Sequence, residues 1–134
     1  MVEPTYVRVA AHGSAAERAA MQRNGVPVGA VKVLANRLHL PETRVLQAID
    51  LKPATYYRSR KVAGRVLSRD QTETVTRLLR LHEKAKQSLP DPEAWFSSPS
   101  PHLDGATPLE YAATEDGGRV VESLLERIEH GSVA

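Results

Sequence analysis

The stretch ETRVLQAIDLKPATYYRSRK, residues 42–61, decides the fold. Pro41 stands where a helix can start, and Val45, Leu46 and Ile49 form the apolar stripe of a short helix over residues 42–49. Asp50 marks a turn. Pro53 restarts a helix over residues 53–61, where a first turn does not miss the proline N–H, and Gly64 closes it. Two short helices crossing at a tight corner plugged by Leu51 and Tyr56 make a helix-turn-helix. With Tyr56 inward, Lys52, Ala54, Tyr57, Arg58 and Lys61 take the opposite side of the second helix. Arg58 and Lys61 suit phosphates or guanine edges, Tyr57 a phosphate or a thymine methyl, and Thr55 near the helix start a phosphate; Arg60 and Arg65 add to the field. Asp50 replaces the usual glycine of the turn but tolerates a left-handed backbone, whereas Leu46 replaces a usual small residue and pushes the helices apart or shifts their register. On these residues alone, a DNA-reading pair and a purely structural hairpin both stay open.

The flanking sequence is helical as well. Residues 1–13 show no period and are expected to begin irregularly. Ser14 and Glu17 form a capping box for a helix to about Arg23, stopped by Asn24, Gly25 and Pro27. Val31, Leu34, Ala35 and Leu38 predict a helix from Val28 to about His39. Downstream, Ser68 and Gln71 form a second box before a long helix carrying Val75, Leu78, Leu79 and Leu81 to about Ser88. Trp95 and Phe96 sit on a short helical turn ahead of the irregular run Ser97, Ser98, Pro99, Ser100, Pro101. Thr107, Pro108 and Glu110 supply an N-cap, a proline at the first helical position and the reciprocal acid. Thr114 caps a last helix whose predicted buried face is Val120, Val121, Leu124, Leu125 and Ile128, and Gly131 ends it. No strand pattern competes. The expected chain is all-α: an arm with a short helix over residues 1–26, a helix-turn-helix domain over 27–66 with a linker near 62–67, and a helical C-terminal module over 67–134.

Bulk properties narrow the function. One Trp, one Phe and four Tyr in 134 residues leave the core to Leu, Val, Ile and Ala, which favours helix-on-helix packing. The absence of cysteine removes disulfides and thiolate metal sites. No apolar run follows a positive segment at the N-terminus, and no stretch approaches a membrane span, so a cytoplasmic protein without membrane contact is expected. Residues 1–66 carry eleven Lys/Arg against four Asp/Glu, net +7, whereas residues 67–134 carry seven against twelve, net −5. That asymmetry suits a phosphate-binding half and a half with another partner. His102 and Asp104 near Ser97, Ser98 and Ser100 do not constitute a triad, there is no glycine-rich phosphate loop, and the five histidines lack metal-ligand spacing. No catalytic residue, metal or cofactor is expected.

Trp95, Leu103, Gly105, Pro108, Leu109, Thr114, Gly117, Arg127, Ile128 and Gly131 follow one another in an order that resembles the Xre/MbcA/ParS antitoxins, partners of RES-domain toxins. The resemblance is strong over residues 93–131 and looser over 51–81, which is similar to the family's Xre-like head. Asp104 departs from it, in a slot often filled by glycine, and so do the three residues that follow Gly131. The resemblance implies a protein that binds a cognate RES toxin through its C-terminal module, occludes the pocket where the toxin acts on NAD, and represses its own operon through the head by binding operator DNA, as a homodimer within a hetero-oligomeric complex. The toxin-binding residues it implies are Glu122, Glu126, Arg127, Glu129, His130, Gly131, Ser132, Val133 and Ala134. Acidic Glu122, Glu126 and Glu129 complement a pocket built for an anionic dinucleotide, and equally make an ordinary solvated helix face. Trp95 is expected to pack under Leu103 and Leu109, and Gly105 to take a positive φ. A stand-alone dimeric helix-turn-helix transcription regulator is the rival reading.

Overall fold

The computed structural model describes residues 3–131. In chain order these form α1 (Thr5–His12), α2 (Ala15–Asn24), α3 (Ala30–Leu38), α4 (Glu42–Ala48), α5 (Pro53–Ser59), α6 (Arg69–Ser88), α7 (Pro92–Ser97), a 3-10 turn (Pro101–Leu103), α8 (Pro108–Tyr111) and α9 (Glu115–Glu129). The fold is all-α, with a helix-turn-helix in its N-terminal part and a small helical C-terminal part. One isolated bridge, Pro27 to Val66, is the only extended pairing among the described residues. None of the described helices is long and apolar enough to cross a membrane.

The 20-residue α6 is the beam of the molecule. Val75, Leu78, Leu79, Leu81 and Ala85 are buried along it, and α1, α2, α3, α7 and α9 all pack against it. Its start is fixed as the capping box requires: the Ser68 hydroxyl accepts from the Gln71 N–H and the Gln71 side chain accepts from the Ser68 N–H. Ser14 with Glu17 and Thr107 with Glu110 repeat the device at α2 and α8.

Two expectations change. Residues 5–12 are helical rather than irregular, because Val7, Val9 and Ala10 find buried positions and α1 lies on α6; tertiary packing supplies what the short segment lacks in caps. Arg37 of α3 pairs with Glu3, tying down the start of this segment. Residues 62–67 do not separate two bodies. Leu67 is buried, its N–H bonds the Val26 carbonyl, and buried residues from Val7 to Leu125 share one core. Of the two adjacent aromatics on α7, Phe96 is the fully buried one. Trp95 is partly buried and meets Phe96 edge-on with centroids 5.2 Å apart. Adjacent helical residues point about 100° apart, so only one of the two can face the core squarely.

Where α3, α6 and α7 meet, the His82 ring is buried 6.2 Å from Phe96, and neither ring nitrogen has a hydrogen-bond partner. Its Nε2 lies 3.8 Å from a Glu93 carboxylate oxygen, which is also 3.8 Å from His39 at the end of α3. Burial pushes the His82 pKa down against the pull of Glu93, which keeps the ring neutral at pH 7.

Candidate functional site

In the helix-turn-helix, α4 ends at a corner where Asp50 takes φ 56°, the left-handed conformation that lets the chain reverse, and the Leu51 N–H closes on the Leu46 carbonyl at 3.0 Å. Leu46 is fully buried, so the larger residue is absorbed into the core instead of being extruded. Tyr56 is buried with no exposed surface, as the corner requires, whereas Leu51 is only partly covered. Burial, and then the negative charge of Glu42, push the Tyr56 pKa up to about 12, so the ring stays neutral.

This inward anchor turns Lys52, Tyr57, Arg58 and Lys61 outward, and all four are exposed; Thr55 is half-buried on the inner flank. Lys52, Arg58 and Lys61 make no ion pair among the described residues, so their charge faces solvent. Two neighbours are engaged within the protein. The Tyr57 hydroxyl donates to Glu42 at a long 3.4 Å, and Arg60 lies 3.7 Å from the same carboxylate with its guanidinium 5.5 Å from the Tyr56 ring centroid. Arg60 thus serves the corner more than the surrounding field.

In the C-terminal part, the proline-bearing segment is a closed loop. The Ser100 N–H bonds the Ala106 carbonyl, and the Gly105 N–H bonds the Ser100 carbonyl. Asp104 and Gly105 both have positive φ, 56° and 84°, so Asp104 fits where glycine is usual by tolerating the left-handed region. Leu103, Pro108 and Leu109 are buried beneath the loop. The Thr114 hydroxyl accepts from the Gly117 N–H at 3.0 Å, and a Cβ on Gly117 would run into the Tyr111 carbonyl oxygen, so a glycine lets α8 and α9 meet here.

The acidic stripe of α9 divides. Glu122 takes Arg80 at 2.6 Å and Lys84 at 3.7 Å, and Glu126 takes Lys84 at 3.0 Å, so two of its three carboxylates are matched to α6. Arg77 of α6 reaches further, crossing Gly118 to donate to the Ala112 carbonyl at 3.0 Å. Burial lowers its pKa against the pull of Glu73, without threatening its charge. These couplings join residues 35 and 42 positions apart, beyond the reach of helical spacing. Val120, expected in the buried face, is instead 43% exposed. Val121 holds the centre of that face, and its neighbour about 100° away falls outside it; a helical-wheel count would have shown this. Arg127, Glu129, His130 and Gly131 are exposed at the end of α9, and Gly131 takes φ 75°. Ser132, Val133 and Ala134 lie outside the described residues. No cluster of His, Asp or Glu among the described residues is arranged to hold a metal.

Residues 17–80 match the family model of the antitoxin Xre-like helix-turn-helix domain, and residues 85–131 that of the antitoxin Xre/MbcA/ParS C-terminal toxin-binding domain. No curated protein matches the chain. The first match contains the exposed α5 residues, and the second contains the proline loop, α8 and α9. Both domains are of non-enzymatic kinds, and the protein is not an enzyme. With a DNA-binding type of head and a toxin-binding domain that together account for most of its length, the chain belongs to the Xre-type antitoxins.

Proposed function

We propose that this antitoxin neutralises a RES-domain toxin acting on NAD, setting its C-terminal segment against the toxin's active site, and represses its own operon through the exposed face of α5 as a homodimer in a hetero-oligomeric complex. The observation that carries the neutralising role is the match over 85–131, which ends where Arg127, Glu129, His130 and Gly131 stand exposed beyond the last fully buried residue, Leu125. Glu129 is the carboxylate of the stripe left for a basic nucleotide pocket, because Glu122 and Glu126 already have cations on α6. Lys52, Arg58 and Lys61, which make no ion pair among the described residues, support the repressor role, since phosphate contacts release counterions only where the cations are free to make them.

Deletion of residues 129–134 tests the neutralising role. The apolar face of α9 through Ile128 remains, so folding and DNA binding are expected to persist. Toxin activity, read as falling cellular NAD and arrested growth on co-expression, is expected to return, and Glu129→Lys to reproduce part of it. If the shortened protein still protects cells at matched expression, the segment is not the inhibitor.

A further inference from the structure

The two flanks of α9 are not equivalent. At about 100° per residue, Glu122, Glu126 and Glu129 share one flank, and Asp116 and Val120 fall on the other. The first flank is engaged from within over most of its length: Arg80 and Lys84 bind Glu122 and Glu126, and the recess beside Glu122 is walled by Ala11 and His12 of α1. The second borders a recess of about 390 Å³ between α8 and α9, lined by Glu110, Tyr111, Thr114, Asp116, Gly117 and Val120. Val120 is the one large hydrophobic residue that is exposed among the described residues of 85–131, and Tyr111 beside it is only partly buried.

From this geometry we infer that the recess between α8 and α9 is the primary grip on the toxin, taking an apolar side chain from a basic segment of that protein onto Val120 and Tyr111. The inference rests on the reading of the chain as a toxin-neutralising protein but is independent of the toxin's chemistry. It separates two tasks: the recess holds the toxin, and the end of the chain inhibits it.

Charge selects the partner. Glu110 and Asp116 line the opening; Arg119 lies 3.2 Å from Asp116 but is shared with Glu115 at 2.7 Å, and Arg44 acts on Glu110 from further away. The lining itself holds two carboxylates and no cation, which attracts a basic segment and opposes a second copy of the same acidic surface. The recess is also built in advance. Glu110 is held in the capping box with Thr107, Thr114 caps α9, and Gly117 lets the α8 backbone form the floor. A rigid apolar spot with a polar rim is the arrangement in which single side chains dominate binding.

The test uses the antitoxin and its cognate toxin, with affinity measured by titration calorimetry on a catalytically disabled toxin. Val120→Lys, at an exposed position, is expected to weaken binding by about tenfold or more while leaving the helical circular dichroism and DNA binding unchanged. Asp116→Lys is expected to weaken it by about threefold to tenfold, with a smaller loss as salt rises. Glu126→Gln, on the engaged flank, is expected to stay within about twofold. The inference is overturned if Val120→Lys and Asp116→Lys bind as the unaltered protein does, or if Glu126→Gln weakens binding as much as Val120→Lys. It is overturned as well if Val120→Lys turns a dimer of the antitoxin alone into a monomer, which would make a second copy the occupant. Absence of any complex with the unaltered antitoxin removes both this inference and the neutralising role. A complex with a toxin that leaves NAD untouched removes only the RES assignment.

Discussion

Replacing Arg58 and Lys61 together by alanine separates a DNA-reading head from a structural hairpin. Both side chains are exposed and make no ion pair among the described residues, so their loss removes surface charge without opening the core. If each neutralises one phosphate, the slope of log affinity against log salt falls by about 0.9 per residue, or about 1.8 for the pair. Between about 50 and 200 mM salt, a change of about 0.6 in log concentration, the unaltered protein should lose about 12-fold more affinity than the double variant. Fluorescence anisotropy on a labelled promoter fragment at four or more salt concentrations gives both slopes. Arg60→Ala is the internal control: its guanidinium serves Glu42 and the Tyr56 ring, so it should lower stability slightly and leave the slope nearly unchanged. A double variant with the slope of the unaltered protein would refute the assignment of this face to DNA, as would Arg60→Ala giving the larger change.

Phe96→Ala is expected to cost about 3–5 kcal/mol, the range for a fully buried aromatic, and Trp95→Ala visibly less because its site opens to solvent. At about 2.1 cal/mol/K per residue, 4 kcal/mol over a chain of this length lowers Tm by about 14 °C, which calorimetry of the two variants will rank. Gly117→Ala forces a methyl group onto the Tyr111 carbonyl and is expected to destabilise by about 1–3 kcal/mol or more, whereas Gly29→Ala meets nothing within 4 Å and should be neutral or mildly stabilising in urea melts. The pKa of His82 is lower in the folded than in the unfolded chain, so below about pH 6.5 the unfolded chain takes up a proton that the native ring refuses. Stability should fall as pH drops from 7.5 to 5.5, by at most about 1.4 kcal/mol per pH unit from this group, and His82→Leu should flatten that slope in urea titrations.

Features governed by chain neighbours were legible in the sequence. Ser14 with Glu17, Ser68 with Gln71 and Thr107 with Glu110 all form the reciprocal boxes that their spacing announces, because both partners lie within one turn. The left-handed Asp50 and Gly105 follow in the same way from turn chemistry. The outward set on α5 followed from placing a single residue, Tyr56, in the core. What escaped depends on distant partners. α1 has no side-chain cap at Pro4 and no acid in its first turn, and its reason to be helical lies more than fifty positions away on α6. Glu122 and Glu126 read the same in sequence whether they face solvent or cations, and only the packing of α9 on α6 decides for Arg80 and Lys84. Trp95 outranks Phe96 in size but not in burial, because the helix phase, not bulk, selects the inward residue.

The two family matches end and begin, at residues 80 and 85, inside one unbroken helix and not in a loop. A fragment cut between them would strip Val121, Leu124 and Leu125 of the α6 wall that covers them, and would leave α3 facing a helix severed at its middle. Exchanging heads among related antitoxins by joining pieces at that seam should therefore yield insoluble chimaeras, while joins that carry α6 whole should not. For the intact molecule, one opening of this helix exposes both halves to proteolysis at the same moment. The DNA-binding type of head and the toxin-binding domain then share a single lifetime.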